Sequence, residues 1–187
     1  MTFDLKRWTS TASKLTPKPH MKIQNAYFER LRFINKMQWQ GACHASSSIL
    51  YILFKEQKFN AKLYIGEVGA LPLVFDHSWV EIDNRIYDVA IASTLISGTA
   101  FPPVFAGIDL QPGQKTKNEY GINSGQGYDP VVKQIKQTPF EEYMSSFPAH
   151  PKGLWGLAMD IGKNIGLIID LDQIKSKYLY TIWNEKA

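Results

Sequence analysis

From Met21 to Met37 the apolar side chains Ile23, Ala26, Tyr27, Leu31 and Ile34 recur every three or four residues, the spacing that lines one face of a helix. A second helix is predicted from Cys43 to Gln57, where Ala45, Ile49, Ile52 and Leu53 space helically. The nearly unbroken apolar run Ile49–Phe54 within it asks for burial on most sides. At Ala61 the pattern changes to alternation through Leu63 and Ile65, and then through Leu71–Phe75, His77–Ile82 and Arg85–Ile91, which predicts strands. The segment 98–130 is rich in Gly, Pro, Asn and Gln and has little periodicity, so it reads as a long loop or lid. Helix signals return after it. Thr138-Pro139-Phe140-Glu141 has the form of a helix start, and Asp170 or Asp172 suits the cap of a terminal helix reaching Trp183. Ahead of all this, residues 1–19 are Thr-, Ser- and Lys-rich and end in Pro17 and Pro19, the mark of a flexible basic arm. The expectation is an α+β chain with one folded domain over 20–187, a central helix on an antiparallel sheet, and further helices at both ends.

Composition narrows this reading. At 187 residues, 44% of them hydrophobic and 13% aromatic, the chain is long enough to bury a core without cross-links. It has one cysteine, Cys43, so no disulfide can form within the chain, and His20 and His150 lack partners at metal-ligand spacing; neither metal nor cofactor is expected. The net charge of +4 is unevenly placed. Residues 1–36 hold eight Lys and Arg against two acids, or +6, which leaves −2 on the other 151 residues. A basic arm on a mildly acidic body lacks the basic-aromatic stripe of a nucleic-acid binder, so a nucleic-acid partner is not expected. The first residues contain no apolar signal core, and no stretch approaches the roughly 20 apolar residues of a membrane span. The default expectation is a cytoplasmic address, with signal-independent secretion left open.

Candidate chemistry concentrates between residues 38 and 91. Cys43 follows Gly41-Ala42 at the first turn of the predicted central helix, where unpaired backbone N–H groups and the helix dipole favour a thiolate. Asp83-Asn84 suits a two-residue hairpin turn, since both residues tolerate positive φ. With that turn Ile82 pairs with Arg85 and Asp88 falls opposite Trp79, so His77 and Asp88 share a face as diagonal neighbours about 7 Å apart. A nucleophilic thiol needs a base, and the base needs an orienting group. Cys43, His77 and Asp88 supply these in chain order.

Gly41-Ala42-Cys43-His44-Ala45-Ser46-Ser47-Ser48 opening an apolar helix, then His77-Ser78-Trp79-Val80-Glu81-Ile82, then Ile86-Tyr87-Asp88, resembles the transglutaminase-like superfamily of papain-like cysteine enzymes. The resemblance spans residues 38–91. It implies a papain-like core and acyl transfer through a Cys43 thioester on a protein or peptide substrate. The reactions implied are peptide or amide hydrolysis, with glutamine deamidation or transamidation as the alternative. A binding module that keeps the scaffold without the activity is the reading from outside the enzymes. The sequence departs from the family pattern in having His44 where an aromatic usually follows the cysteine, and Val89 where a proline often follows the aspartate. Around the triad, Gln38 and Gln40 are candidates for an amide in the oxyanion hole. His44, about 100° around the helix from Cys43, is expected to be exposed or to touch substrate. Trp79 is expected to be core or a wall of the site.

Overall fold

The computed structural model describes residues 3–16, 20–96, 101–148 and 150–186. Helices α1 (Leu5–Leu15), α2 (Met21–Met37) and α3 (Cys43–Glu56) come first, followed by the hairpin β1 (Ala61–Ala70) and β2 (Leu73–Ile82) and the short strand β3 (Arg85–Tyr87). A 3-10 turn at Ala90–Ser93 leads to β4 (Val104–Phe105), β5 (Ile108–Asp109), β6 (Gln114–Lys115) and β7 (Glu119–Ile122). Helices α4 (Pro130–Gln137), α5 (Phe140–Ser145), α6 (Gly153–Asn164) and α7 (Leu171–Tyr178) precede the final strand β8 (Asn184–Glu185). The class is α+β. β1 is the hub of the main sheet. It pairs antiparallel with β2 along its whole length, its other edge takes β7 antiparallel and β8 in parallel, and β3 extends the sheet beyond β2.

The two faces of this sheet bury different cores, as side-chain alternation requires. Leu63, Val80 and Ile82 face the helices and join Ile49, Leu53, Leu31, Ile34, Trp155 and Phe140 in the larger cluster. Val68, Ala70 and Trp79 face the other way and pack with Ile91, Phe101, Val104 and Tyr120. Helix α3 is buried nearly all round, as its apolar run predicts, and small polar residues let its neighbours come close. Ser46 Oγ accepts from Arg30 Nη2 of α2 at 2.8 Å, and Ser47 Oγ donates to the Ser78 carbonyl of β2 at 2.7 Å.

Four expectations are corrected. Residues 5–15 of the expected arm form helix α1, capped by Asp4, whose side chain accepts from Arg7 N–H at 3.0 Å. Trp8 and Ala12 anchor it in the main core, and Trp8 Nε1 donates to Gln111 Oε1 at 2.7 Å. Two buried side chains four apart outweigh the polar composition that suggested a solvated arm. The expected 98–130 loop holds a small antiparallel sheet, β4-β5-β6, together with β7, which joins the main sheet. Strands of two to four residues are too short to produce a readable alternation. The strand expected over Arg85–Ile91 ends at Tyr87, because the Asp88 carboxylate takes the Ala90 and Ile91 N–H groups at 3.0 and 3.1 Å and turns the chain. The terminal helix stops at Tyr178, and Trp183 instead leads into β8, drawn to the edge of β1 by Tyr64↔Asn184 and Ile65↔Glu185 pairing.

No helix among the described residues is long and apolar enough to cross a membrane. If α1 is part of the core, Trp8→Ala will lower the free energy of unfolding by about 3–5 kcal/mol in a urea titration, the usual cost of emptying a buried Trp site. A change within about 0.5 kcal/mol would return the segment to the status of a surface arm.

Candidate active site

The turn between α2 and α3 sets the thiol. Gln38 ends α2 in the left-handed conformation, and Gly41 follows with φ +67, a value that favours glycine. Gly41 N–H is fixed by the Ser93 carbonyl of the 3-10 turn at 2.8 Å. Helix α3 then starts at Cys43 with no side-chain cap, so its first-turn N–H groups are left for whatever the thiol engages. Cys43 itself is half-buried.

His77 and Asp88 arrive from the β2–β3 hairpin. Asp83 and Asn84 take φ of +51 and +60, and the ladder runs Ile82↔Arg85, Glu81↔Ile86 and Val80↔Tyr87, the predicted register. Asp88 then leaves the ladder to bridge Val104. His77 Nε2 donates to Asp88 Oδ2 at 2.8 Å, with His77 2% and Asp88 1% exposed. The carboxylate is fully engaged. Tyr120 O–H of β7 donates to the same Oδ2 at 2.9 Å, the two turn N–H groups occupy Oδ1, and Tyr27 O–H of α2 holds the Asp88 carbonyl at 3.1 Å. Burial and the Asp88 charge raise the Tyr120 hydroxyl well above its ordinary range, so it stays a donor at any working pH. Because Nε2 of His77 is committed to Asp88, the other ring nitrogen is the one left to face sulfur.

The Cys43 thiol lies within electrostatic reach of two imidazoles, His44 and His77. Burial pushes the Cys43 thiol up, but the two rings outweigh it and bring it down to about 5. Burial conversely works against the His77 cation, and Asp88 together with the Cys43 thiolate overcomes it and raises the ring to about 10. The two shifts run in the directions that favour a thiolate beside an imidazolium.

His44 is 9% exposed, not a surface residue. Its Nδ1 is hydrogen-bonded to Ser78 Oγ at 2.6 Å, and Trp183 meets the ring edge-on at 5.9 Å. Consecutive residues of β2 thus serve opposite faces: Ser78 points to the helices and holds His44, while His77 points to the Asp88 side. β3 ends opposite Val80, so the part of β2 that carries His77 and Ser78 lies beyond its ladder.

The remaining candidates lie apart from the thiol. Gln38 Nε2 donates to the Asn35 carbonyl at 2.6 Å, and the Gln40 side chain is exposed in the turn. Among the described residues neither hydrogen-bonds Cys43 or His77, so the side-chain amide expected for an oxyanion hole is not supplied by them. Trp79 is fully buried, stacks on Tyr64 at 5.7 Å and donates from Nε1 to Glu81 Oε1 at 3.0 Å, which makes it core beneath the His77 side of the sheet. Sequence does not single out Tyr120, which sits in an aperiodic segment, or Tyr27, which reads as an ordinary core position. Ser78 is different. Its place between His77 and Trp79 on an alternating strand already assigns it to the opposite face. No group of three His, Cys, Asp or Glu able to hold a metal occurs among the described residues.

No protein-family model, curated protein or solved structure matches the chain. The site is therefore read from its own geometry. With iodoacetamide, Cys43 alkylation should rise through a midpoint near pH 5 and level off. His77→Ala should move that midpoint up toward the free-thiol value of about 8.5. A midpoint near 8.5 in the unaltered protein would mean that the rings do not hold the thiolate.

Proposed function

We propose that the protein is a thiol hydrolase or acyltransferase of the transglutaminase-like type, with a papain-like arrangement in which Cys43 is nucleophile, His77 general base and acid, and Asp88 the group that orients His77. The observation that carries this reading is the buried Asp88 carboxylate, saturated by four donors and aligned on His77, a ring electrostatically coupled to the Cys43 thiol at the start of α3. A cysteine kept only for packing needs no such partners.

The chemistry follows from the resting charges. The Cys43 thiolate adds to an amide carbonyl carbon, and the developing oxyanion meets the free N–H groups at the start of α3. Collapse of the intermediate breaks the C–N bond, and His77 passes its proton to the departing nitrogen. The acyl group is then a thioester on Cys43. Water, or an amine in the transfer reaction, gives its proton to neutral His77 as it attacks; the thioester carbon–sulfur bond breaks and thiolate and imidazolium are restored. Asp88 stays ionised throughout, with Tyr120 and the turn N–H groups holding its charge in place.

Mass spectrometry after incubation with a glutamine-containing peptide library separates the outcomes. Hydrolysis gives cleaved peptide, deamidation gives ammonia with an intact chain, and transamidation incorporates an added primary amine. Cys43→Ala should abolish every product while leaving the melting curve native, and Asp88→Ala should lower the rate roughly 100-fold or more by freeing the ring. Product formation by Cys43→Ala would refute the thioester mechanism, and failure of the unaltered protein to label with thiol-directed acyl probes would favour a binding module.

A further inference from the structure

The far end of α3 borders a feature that the thiol chemistry does not use. Lys55 stands in the last turn of the helix that Cys43 begins, about 18 Å along it at about 1.5 Å per residue. There an open groove of about 540 Å³ lies between the start of β1 and the chain that follows α7. Ala61 and Lys62 of β1, Tyr51 and Lys55 of α3, and Tyr180 and Ile182 of the following chain line it. Its β1 edge is open. On that side of the strand β8 meets only Tyr64 and Ile65, and β7 only Glu67, Val68 and Gly69, so Ala61–Leu63 pair there with no strand among the described residues. The Leu63 and Ile65 carbonyls point to this edge, where they accept from Asn184 Nδ2 at 2.9 Å and Lys186 N–H at 3.3 Å. By the two-residue period of a strand, Ala61 turns its N–H and carbonyl the same way. The rim is apolar and uncovered, with Tyr180 89% and Ile182 71% exposed. Its charge is of one sign. Lys55, Lys62 and Lys177 border the groove, and no Asp or Glu does among the described residues, although residues 37–187 as a whole carry −2. Lys177 is held by Glu56 at 2.6 Å, whereas Lys55 and Lys62 have no ion-pair partner among the described residues.

We propose that this groove docks an acidic, extended peptide segment of a partner protein, which adds to the free edge of β1 as a short strand. The docking stands apart from the thiol and does not depend on its chemistry. Main-chain bonds to a sheet edge supply affinity, and the places that receive alternate side chains supply selection. Here those places are two faces of one strand. Leu63 packs with α3 on the helix side, and Lys62, the next residue of the strand, points to the other side. An added strand sends its own successive side chains to the same two faces. Lys55 of α3 lies on one and Lys62 on the other, so two consecutive acidic residues meet one lysine each. Apolar residues beside them cover Tyr180 and Ile182. Nucleic-acid phosphates would be drawn to the same lysines, but they cannot pair with the alternating N–H and carbonyl groups of a strand edge.

The probe is a fluorescein-labelled Val-Glu-Asp-Val peptide, titrated with the whole protein and read by anisotropy, with Val-Lys-Lys-Val as the charge-reversed control. Binding of the acidic peptide should saturate and should weaken as salt is raised. It should fall about tenfold or more in the double variant Lys55→Glu, Lys62→Glu, which replaces two attractions by two repulsions. Ile182→Ser, at an exposed position that spares the fold, should weaken it as well. In the unaltered protein the bound peptide should slow amide hydrogen exchange at Ala61, a measurement that stands even if a variant melts early. Failure to saturate at about 1 mM peptide, equal binding of the lysine control, or unchanged Ala61 exchange in the complex would overturn the proposal. Tighter binding of a thymidine oligonucleotide would overturn it in favour of a nucleic-acid face. A concentration-dependent dimer that the double variant loses would overturn it in favour of a contact between copies of this chain.

Discussion

A carboxylate removed from water must have its charge and its lone pairs answered locally, and Asp88 is the point where the molecule meets that demand. Its donors come from β2, β7 and the 3-10 turn, while α2 holds its carbonyl through Tyr27. Elements that look independent in sequence are thereby obliged to converge. The turn must bend at Ala90, β7 must reach the main sheet with Tyr120 inward, and α2 must lie close enough for its tyrosine to touch the end of β3. Removing any donor would leave a buried charge only partly satisfied.

The parts legible in the sequence are those with a long or chemically specific local signal. Helix α2 has the predicted limits Met21–Met37, and α3 begins at Cys43, because each carries several turns of apolar periodicity. The hairpin register was readable from Asp83-Asn84, two residues whose tolerance of positive φ is local chemistry. The neighbourhood of His77 and Asp88 follows from that register, although Asp88 sits just past the ladder and not within it. What the sequence conceals depends on distant partners. Helix α1 is specified by what Trp8 finds at Gln111 and in the core, and β8 by an edge of β1 left for it to occupy.

His44 shows the same limit at the scale of a single side chain. The 100° step from Cys43 places it on another face of α3, which in an isolated helix would mean solvent. Here that face is covered by β2 and by Trp183, so the residue is enclosed and held by Ser78. Helical angle gives a direction, and the surroundings decide what lies there. Trp79 is the simpler case: expected as core or a wall of the site, it is fully buried in the cluster on the His77 side of the sheet.

The alternation of His77 and Ser78 on β2 has a consequence for how the molecule guards against misassembly. Sliding β2 by one residue against β1 would exchange inward and outward faces along the strand, a general hazard of sheets. In this chain the exchange would strand Asp88 without its imidazole and send Ser78 away from His44, while turning Val80 and Ile82 out of the helical core. The polar site and the apolar interior thus carry the same registration mark, and a misaligned hairpin is penalised twice before any chemistry is asked of it.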